Sequence, residues 1–498
     1  MSQNRFAGYT FLIEKYHLNV IPNWHVSQVN QSAIKKSTIQ DGQVETIYPQ
    51  SYWPGERTVD HLEFALKYDG INMAILAVLF QTIDAEEITA WVASKQTGKY
   101  ARKIWFLYEY LTTQSLPLQD LTQGNYIDLL ETHLYFTITP GQRIQRQRIV
   151  NNLLGNASFC PMIRRTEKIS RMENIDIRQR CLDVVTVYPP ELLPRALSYL
   201  YTKETRSSFE IEHITPSASR TEKFIRLLST AEHKDYCEKN LLIEIQNSIV
   251  DPRFRDTDYR TIQNYIGETI SFRQQRVHYV CPKPENIPEL LDGLITTHRK
   301  LKQSGIPAVV HAAIIAYGFV FMHPFEDGNG RIHRFLIHNI LSQRGAVPEG
   351  LMFPVSASML KNQGLYTSSL ETYSAPLLQL IDYELDDDGH MTVSGDTRVW
   401  YAYIDMTAQA ETLHDFVIKT VEEELKEELD FLVSYDQVKT AIQDIVDMPD
   451  QRINLFIKLC LQNHGRLSTK KRESYFGFLS DDEVFRMEQA VVNGYSSA

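Results

Sequence analysis

Apolar residues recur at three- and four-residue spacing along most of the chain, which is the pattern of helices that bury one face. From about residue 74 to residue 200 this spacing predicts helices in AILAVLF (74–80), ITAWVASKQTGKYARKIWFLYEYL (88–111) and IDLLETHLYF (127–136). The same spacing returns from Thr221 to Asp251, in IPELLDGLITTHRKL (287–301) and from Trp400 onward. The pattern therefore predicts a mainly α protein.

Other segments depart from this spacing. RVHYVCPKP (276–284) alternates in polarity and ends in prolines, which predicts a strand of one small hairpin. AVVHAAIIAYGFVFM (308–322) is the most apolar segment but falls short of the ~20 residues that cross a bilayer, so it predicts a buried helix. The first 60 residues show no clear period, and their structure is left open. The acidic interval that ends in DDDG (386–389) is expected to be a loop.

Length, charge and cysteine content narrow the class of protein. A chain of 498 residues exceeds one ordinary core, so about two to four domains are expected. A net charge of −11 argues against nucleic acid as a partner. The five cysteines are odd in number and form no C-x-x-C pair, which argues against a disulfide framework or a structural zinc site. Without a leader-like start or a long apolar run, we expect a cytoplasmic protein with no membrane segment.

The stretch HPFEDGNGRIHR (323–334) places an imidazole, two carboxylates and two guanidinium groups within twelve residues. Pro324 ends the preceding buried helix, and Phe325 can anchor the loop in the core. Gly328, Asn329 and Gly330 permit positive φ angles, and a new helix is predicted to begin near Arg331. A glycine-rich turn that leads into a helix presents unpaired backbone N–H groups, so the turn is predicted to bind an anion.

The charged residues of this stretch indicate which anion it binds. Arg331 and Arg334 are three residues apart, so both can reach the same anion from one helix face. Asp327 would repel a bare phosphate, but it fits if Mg²⁺ lies between them. His323 is placed to act as a general base. Together these residues indicate transfer of a phosphorus-centred group from a di- or triphosphate, rather than an ordinary helix start with local ion pairs.

The stretch also resembles the signature of the Fic (filamentation induced by cyclic AMP) family, H-x-F-x-[D/E]-G-N-G-R-x-x-R, at every specified position. The resemblance implies an enzyme that transfers AMP from Mg-ATP to a hydroxyl group of a target protein. By position it implies the following roles: His323 as base, Asp327 as metal ligand, Gly328, Asn329 and Gly330 around the α- and β-phosphates, Arg331 at the β-phosphate and Arg334 at the γ-phosphate.

The resemblance extends from about Tyr199 to Ala375. Residues 263–294 are similar to the family's flap, a β-hairpin over the active site that can hold an extended target segment by main-chain pairing. His278, Tyr279 and Val280 are expected at that edge. The predicted division is an N-terminal, mostly helical domain (1–198), an inhibitory helix segment (199–219), a Fic-type helical core with the flap (220–380) and a C-terminal helical domain (381–498).

The segment SFEIEH (208–213) resembles the family's inhibitory motif, [S/T]-x-x-x-E-[G/N]. In this match Ser208 and Glu212 occupy the specified positions, and Glu212 would pair with Arg334 and so block productive binding of the γ-phosphate. His213 stands where Gly or Asn is usual, which puts the tight turn after the glutamate in question. The alternative is that SSFE is a helix start and that Glu212 is a solvated carboxylate.

The main hypothesis is therefore a protein adenylyltransferase, held back by Glu212, that modifies a Ser, Thr or Tyr hydroxyl of a protein target or of itself. Its expected substrate is ATP with Mg²⁺, and a homodimer is also expected. Three alternatives stay open at this point. The same site could transfer UMP, phosphate or phosphocholine, it could remove AMP from modified proteins, or it could serve a non-enzymatic regulator that senses nucleotides.

Overall fold

The computed structural model describes residues 4–31, 34–40, 42–271 and 274–495. Helices dominate the described chain, as the hydrophobic spacing predicts. In the first half they are α1 (Tyr9–Tyr16), α2 (Thr58–Phe64), α3 (Met73–Thr82), α4 (Ala85–Ser94), α5 (Lys99–Thr112), α6 (Glu167–Met172), α7 (Ile177–Val185), α8 (Leu193–Glu210), α9 (Ala218–Thr230) and α10 (Lys239–Ile249).

Eleven further helices, counted over the described residues, complete the α-structure. They are α11 (Ile287–Lys302), α12 (Ala308–Met322), α13 (Asn329–Gln343), α14 (Val355–Lys361), α15 (Gln363–Leu378), α16 (Arg398–Ala402), α17 (Thr407–Lys419), α18 (Lys426–Ile445), α19 (Asp450–Leu461), α20 (Thr469–Tyr475) and α21 (Asp481–Tyr495). The mainly α fold is confirmed. In the part of the chain that the structure describes, no helix is long and apolar enough to span a lipid bilayer.

The strands form small sheets. They are β1 (Arg5–Ala7), β2 (His25–Asn30), β3 (Lys36–Gln40), β4 (Gln43–Pro49), β5 (Ile127–Asp128), β6 (Gln142–Ile144), β7 (Ile149–Asn151), β8 (Tyr265–Ser271), β9 (Gln274–Val280), β10 (Tyr383–Leu385) and β11 (Met391–Val393). The sheet orders are β1-β2-β4-β3, β5-β7-β6, β8-β9 and β10-β11. The expectation of one hairpin was therefore too low, although the hairpin β8-β9 is where the alternating pattern places it.

One local prediction was wrong. IDLLETHLYF is not helical, because the side-chain amide of Asn152 bonds both the N–H and the C=O of Leu130 at 3.0 and 2.9 Å and replaces helical pairing there. The acidic interval that ends in DDDG is a loop at residues 386–389, as expected, and it forms the turn between β10 and β11. Here Asp386 Oδ1 accepts the N–H groups of Asp388 and His390 at 3.0 and 2.8 Å.

The hairpin of α12 and α13 forms the centre of the Fic-like part of the chain. In α12 every residue from Val309 to Met322 is buried, as expected for its unbroken apolar sequence. Helix α13 begins at Asn329, two residues before the predicted start, and buries most of its length against α12. The loop between them, residues 323–328, therefore joins two helices that pack against each other.

The chain divides into two compact units, each built from three sequence segments. Unit 1 comprises residues 1–175, 230–344 and 362–414, and unit 2 comprises residues 176–229, 345–361 and 415–498. The predicted domains are continuous segments, so their boundaries do not coincide with these units, and the roles assigned to them stay predictions. In unit 2, Leu425, Leu429 and Leu432 are buried as the spacing of EEELKEEL indicates.

Candidate functional site

His323 lies at the end of α12 in a left-handed backbone conformation, with φ 48° and ψ 58°. Its N–H donates to the Phe319 carbonyl at 3.0 Å and so closes the helix. Its ring Nδ1 lies 3.2 Å from the Val320 carbonyl oxygen. A carbonyl only accepts, so Nδ1 carries the proton and Nε2 carries the lone pair. The backbone therefore orients the imidazole with a basic nitrogen available.

The surroundings keep this imidazole neutral. Burial lowers the pKa of His323 to about 4, and the charge of Arg260 acts in the same direction. The Val320 carbonyl and the Asp327 carboxylate oppose this effect without reversing it. A neutral ring near pH 7 is the protonation state that a general base requires.

The loop after His323 is fixed by its own side chains. Asn329 is buried, and its amide accepts from the Phe325 N–H at 3.1 Å and donates to the Phe325 carbonyl at 2.8 Å. Gly328 has φ 93°, and a Cβ there would lie 3.0 Å from Val250. The Asn329 side chain thus fixes the loop instead of facing a ligand. Only its N–H, with those of Gly328 and Gly330, belongs to the helix N-terminus that the sequence predicts as an anion site.

Arg331 and Arg334 are both buried, with 0% and 1% of their surface exposed. Arg331 donates to Asp327 Oδ1 at 2.5 Å and to the Ile249 carbonyl at 3.0 Å. The guanidinium group of Arg331 is therefore engaged by protein oxygens. Its contact with a phosphate stays a prediction.

Asp327 has the chemistry of a magnesium ligand. Its side chain is 40% exposed, and Arg331 occupies only Oδ1, so Oδ2 can be shared with a metal ion. Asp256 lies beside it, and its Oδ2 accepts the Glu326 N–H at 3.3 Å. Burial and the charges of Glu326 and Asp327 raise the pKa of Asp256. Excess negative charge around one half-exposed carboxylate fits Mg²⁺, which typically binds one or two carboxylates plus phosphate oxygens.

The flap hairpin β8-β9 is present, and the side chains near the end of its second strand differ in exposure. Tyr279 is 4% exposed, and its hydroxyl donates to the Phe321 carbonyl at 2.5 Å. Val280 is buried, and its carbonyl accepts from the Tyr401 hydroxyl at 2.6 Å. The side chains of Tyr279 and Val280 therefore anchor the flap, and the expected pairing of a target with the main chain at this edge stays a prediction. His278 is 44% exposed, 3.5 Å from Glu268, and its contact with a target stays a prediction.

Sequence reasoning missed Arg260, which stands in an unremarkable polar stretch before the flap. Its side chain is buried and donates to three backbone carbonyls, those of His323, Ile262 and Pro282. No motif marks this arginine, because its partners are main-chain oxygens that any residue supplies. Only the fold brings them together.

The proposed inhibitory residues lie in unit 2. Ser208 is buried in the last turn of α8, so SSFE is a helix end and the alternative of a helix start is wrong. Glu212 follows in the turn after the helix and is partly buried. His213 has φ 56°, a conformation that glycine and asparagine adopt most readily. The turn therefore forms despite the histidine.

Known proteins are similar to the part of the chain that contains these residues. Residues 236–341 match the family model described as Fic/DOC family. A relative from Nematostella vectensis named "Protein adenylyltransferase Fic" is 23% identical over 319 residues, 57% of this chain and 73% of that protein. A relative of the same name from Drosophila melanogaster is 23% identical over 195 residues, and the match spans 36% of this chain but only 39% of that protein.

A crystal structure of a Fic family protein from Desulfovibrio desulfuricans shares 18% sequence identity, with a TM-score of 0.37. The alignment covers 64% of this chain and 87% of that one. With so low a score, this likeness adds nothing to the fold described above. The family match, by contrast, includes His323, Asp327, the glycines and both arginines. Residues 236–341 of this chain are therefore a domain of the Fic/DOC family.

Proposed function

We propose that the chain is a protein adenylyltransferase, which transfers AMP from ATP to a hydroxyl group of a target protein. The observation that carries this proposal is the neutral His323, oriented through Nδ1 at the mouth of the glycine-rich turn that opens α13. The names of the relatives support the same reaction. The other Fic-type transfers, removal of AMP and nucleotide sensing are outcomes that the experiment below distinguishes.

In the proposed reaction, Nε2 of His323 takes the proton of the target hydroxyl as its oxygen attacks the α-phosphorus. The new bond joins this oxygen to the AMP phosphorus, and the bond to pyrophosphate breaks. The N–H groups that open α13 and the side chains of Arg331 and Arg334 would hold the triphosphate. Mg²⁺, held by Asp327, would neutralise the charge that develops on the pyrophosphate oxygens.

We further propose that Glu212 restrains this activity by pairing with Arg334. The motif match supports it, as does the position of Glu212 in a turn that directly follows a helix. An ion pair at Arg334 would compete with the γ-phosphate for the same guanidinium group. Releasing Glu212 would then allow ATP to bind in the productive orientation.

Purified protein and the Glu212→Gly variant, each with Mg²⁺ and ATP labelled at the α- or the γ-phosphate, test the proposal. We expect α-label on protein, more of it with Glu212→Gly, and none with Glu212→Gly combined with His323→Ala. γ-Label on protein would indicate phosphate transfer instead. Absence of label from every nucleotide, with cell lysate supplied as targets, would favour the nucleotide-sensing regulator. Loss of AMP from a pre-labelled target would indicate the reverse reaction.

Partners and location follow from the same proposal. The target carries a Ser, Thr or Tyr hydroxyl, and the chain itself is one candidate. The five cysteines are all free and buried, which supports a reducing compartment such as the cytoplasm. Formation of a homodimer stays a prediction.

A further inference from the structure

Arg260 connects the general-base loop to both ends of the flap. Its Nε donates to the His323 carbonyl at 2.8 Å, and its backbone N–H donates to the Pro324 carbonyl at 2.8 Å. On the flap side, Nη1 donates to the Ile262 carbonyl at 2.7 Å and Nη2 to the Pro282 carbonyl at 2.6 Å. Because the guanidinium group is planar and rigid, these three side-chain bonds fix the two structures relative to each other.

The backbone at His323, on the loop side of Arg260, has an unfavourable conformation that must be stabilised. His323 has φ 48°, which is costly for a residue other than glycine. Pro324 restricts the same residue further. Bonds to the carbonyls of two successive residues hold the peptide planes on both sides of Pro324. The orientation of the imidazole depends on this backbone, since its Nδ1 bonds a carbonyl of the preceding turn.

The flap side needs support for a different reason. An isolated two-stranded hairpin is marginally stable in water, so β8-β9 depends on its attachments. Residue 262 precedes β8 and residue 282 follows β9, so Arg260 closes the base of the hairpin. A backbone hydrogen bond also closes the base of the hairpin: the Cys281 N–H donates to the Asn264 carbonyl at 3.1 Å. Tyr279 attaches β9 to Phe321, two residues before His323.

We infer that Arg260 is a positioning residue, which aligns His323 with a target segment bound along the flap by fixing both to one guanidinium group. This inference rests on the proposed function, because it assigns Arg260 a role in transfer to the bound target. The proposed ATP site lies at the other end of the loop, at the start of α13, and Arg260 is not one of its residues.

Arg344 provides a matched control at the opposite end of the α12-α13 pair. It also donates to three backbone carbonyls, those of Leu301, Ser304 and Ile306, at 2.8, 3.2 and 2.7 Å. It touches neither the flap nor the loop at His323. Replacing either arginine by lysine keeps the charge and removes most of the fixed hydrogen bonds, so the two lysine variants differ chiefly in which end they loosen.

The experiment compares Arg260→Lys and Arg344→Lys in the Glu212→Gly protein. For Arg260→Lys we expect AMP transfer to a protein target to fall about 10- to 100-fold, through kcat and the KM for target, with ATP affinity changed less than about twofold. Amide hydrogen exchange in residues 265–270 and 275–280 should become faster. Arg344→Lys should lower the melting temperature without changing transfer per folded molecule or flap exchange.

A third variant, Arg260→Met, separates charge from geometry. The charged and polar groups facing His323 are Arg260, Asp327 and the Val320 carbonyl. Loss of the Arg260 charge should raise the pKa of the His323 ring, followed by NMR and assigned with His323→Ala, whereas Arg260→Lys should leave this pKa near that of the parent. If the substitutions changed only the packing of the helices, Arg260→Met and Arg260→Lys would not differ in the pKa of His323.

Equal effects of Arg260→Lys and Arg344→Lys on transfer and on flap exchange would overturn the inference. So would an ATP affinity that falls as much as transfer does. If no protein is labelled even with Arg260 intact, the proposed function fails, and that outcome is distinct. The exchange and NMR measurements then still decide whether Arg260 links the flap to His323, because neither depends on catalysis.

Discussion

The two ends of the α12-α13 pair use similar residues for different purposes. At the far end, Arg344 donates to His311 Nδ1 at 3.1 Å, His311 Nε2 lies 3.0 Å from His298 Nδ1, and His298 Nε2 lies 3.0 Å from Asp235. Arginine can only donate, so the direction of every later bond in this chain is fixed. At the loop end, by contrast, His323 uses one ring nitrogen for the protein and keeps the other basic.

This difference shows how to distinguish a histidine that supports the fold from one that can act in a reaction. Both rings are neutral because burial lowers their pKa values, so the pKa alone does not distinguish them. The hydrogen bonds distinguish them. Both ring nitrogens of His311, which lies within a helix, bond to protein groups. Only one ring nitrogen of His323, which has a left-handed backbone conformation, does so. Substitutions at the two ends of the helix pair, and exposure to acid, should separate these two roles.

Replacing His323 by alanine should reduce AMP transfer about 10²- to 10⁴-fold, because it removes the general base. The fold should remain, as one weak bond to Val320 is lost. Transfer is measured with α-labelled ATP in the Glu212→Gly protein and stability by thermal melting. Transfer that persists within tenfold of the parent, in a protein melting at the same temperature, would remove His323 from the mechanism.

Acid should destabilise the protein more than any single substitution considered below, because several buried histidines contribute. Burial lowers the pKa of His61 to about 4, of His323 to about 4 and of His333 to about 3. The unfolded chain therefore binds protons below about pH 6.5 that the folded chain excludes. The stabilisation is complete above this pH and is lost as pH falls toward 4.

Melting temperatures between pH 7.5 and 4.5 measure this effect. His333→Phe, which removes one of the titrating rings, should flatten the curve. A melting temperature that stays constant over this range would show that these rings are protonated in the folded protein.

His311→Ala should lower the free energy of unfolding by about 2–4 kcal/mol, because Arg344 loses an acceptor and His298 loses a donor in a buried site. Transfer per folded molecule should not change. Denaturant titration measures the first quantity and labelling the second. His390→Ala is the control, since that side chain is 80% exposed and should cost almost nothing. A selective loss of transfer in His311→Ala would make the two ends of the helix pair functionally alike.

The smallest effect is expected from His213→Asn, in the turn that carries Glu212. His213 has φ 56°, and asparagine tolerates this conformation better. We expect unit 2 to gain about 0.5–1 kcal/mol of stability and the labelling activity to fall, as the turn holds Glu212 more firmly. His213→Ala changes the same side chain without favouring the turn, so equal results from both variants would rule out this explanation.

The sequence predicts the residues of the candidate site better than it predicts the residues that hold them in place. The residues assigned to the reaction cluster in twelve positions, so their spacing alone places them on one loop and the start of the helix that follows it. Helix α12 also matches its predicted bounds, since an unbroken apolar run has one simple solution. Arg260 and Asn329 bond to backbone atoms, and such contacts leave no pattern of residue types. The burial of Tyr279 was missed because alternation along a strand does not reveal which face is covered.

The sheets of the N-terminal half show the same limit. Strand β2 pairs in parallel with β4, and β3 lies at one edge of this sheet, an arrangement set by contacts between residues that are not neighbours in sequence. Strands this short carry little periodicity of their own. The three aspartates at residues 386–388 indicate the loop, but they do not reveal that this loop joins the paired strands β10 and β11.

The interleaving of the two units bears on how the protein is made and how it can be dissected. The chain crosses from one unit to the other after residues 175, 229, 344, 361 and 414. On the ribosome, unit 1 cannot be complete before residue 414 emerges, so the HPFEDGNGR loop is synthesised long before its supporting unit is whole. A truncation at residue 198 or 380 would cut through both units, and an inactive fragment of that kind would say nothing about catalysis.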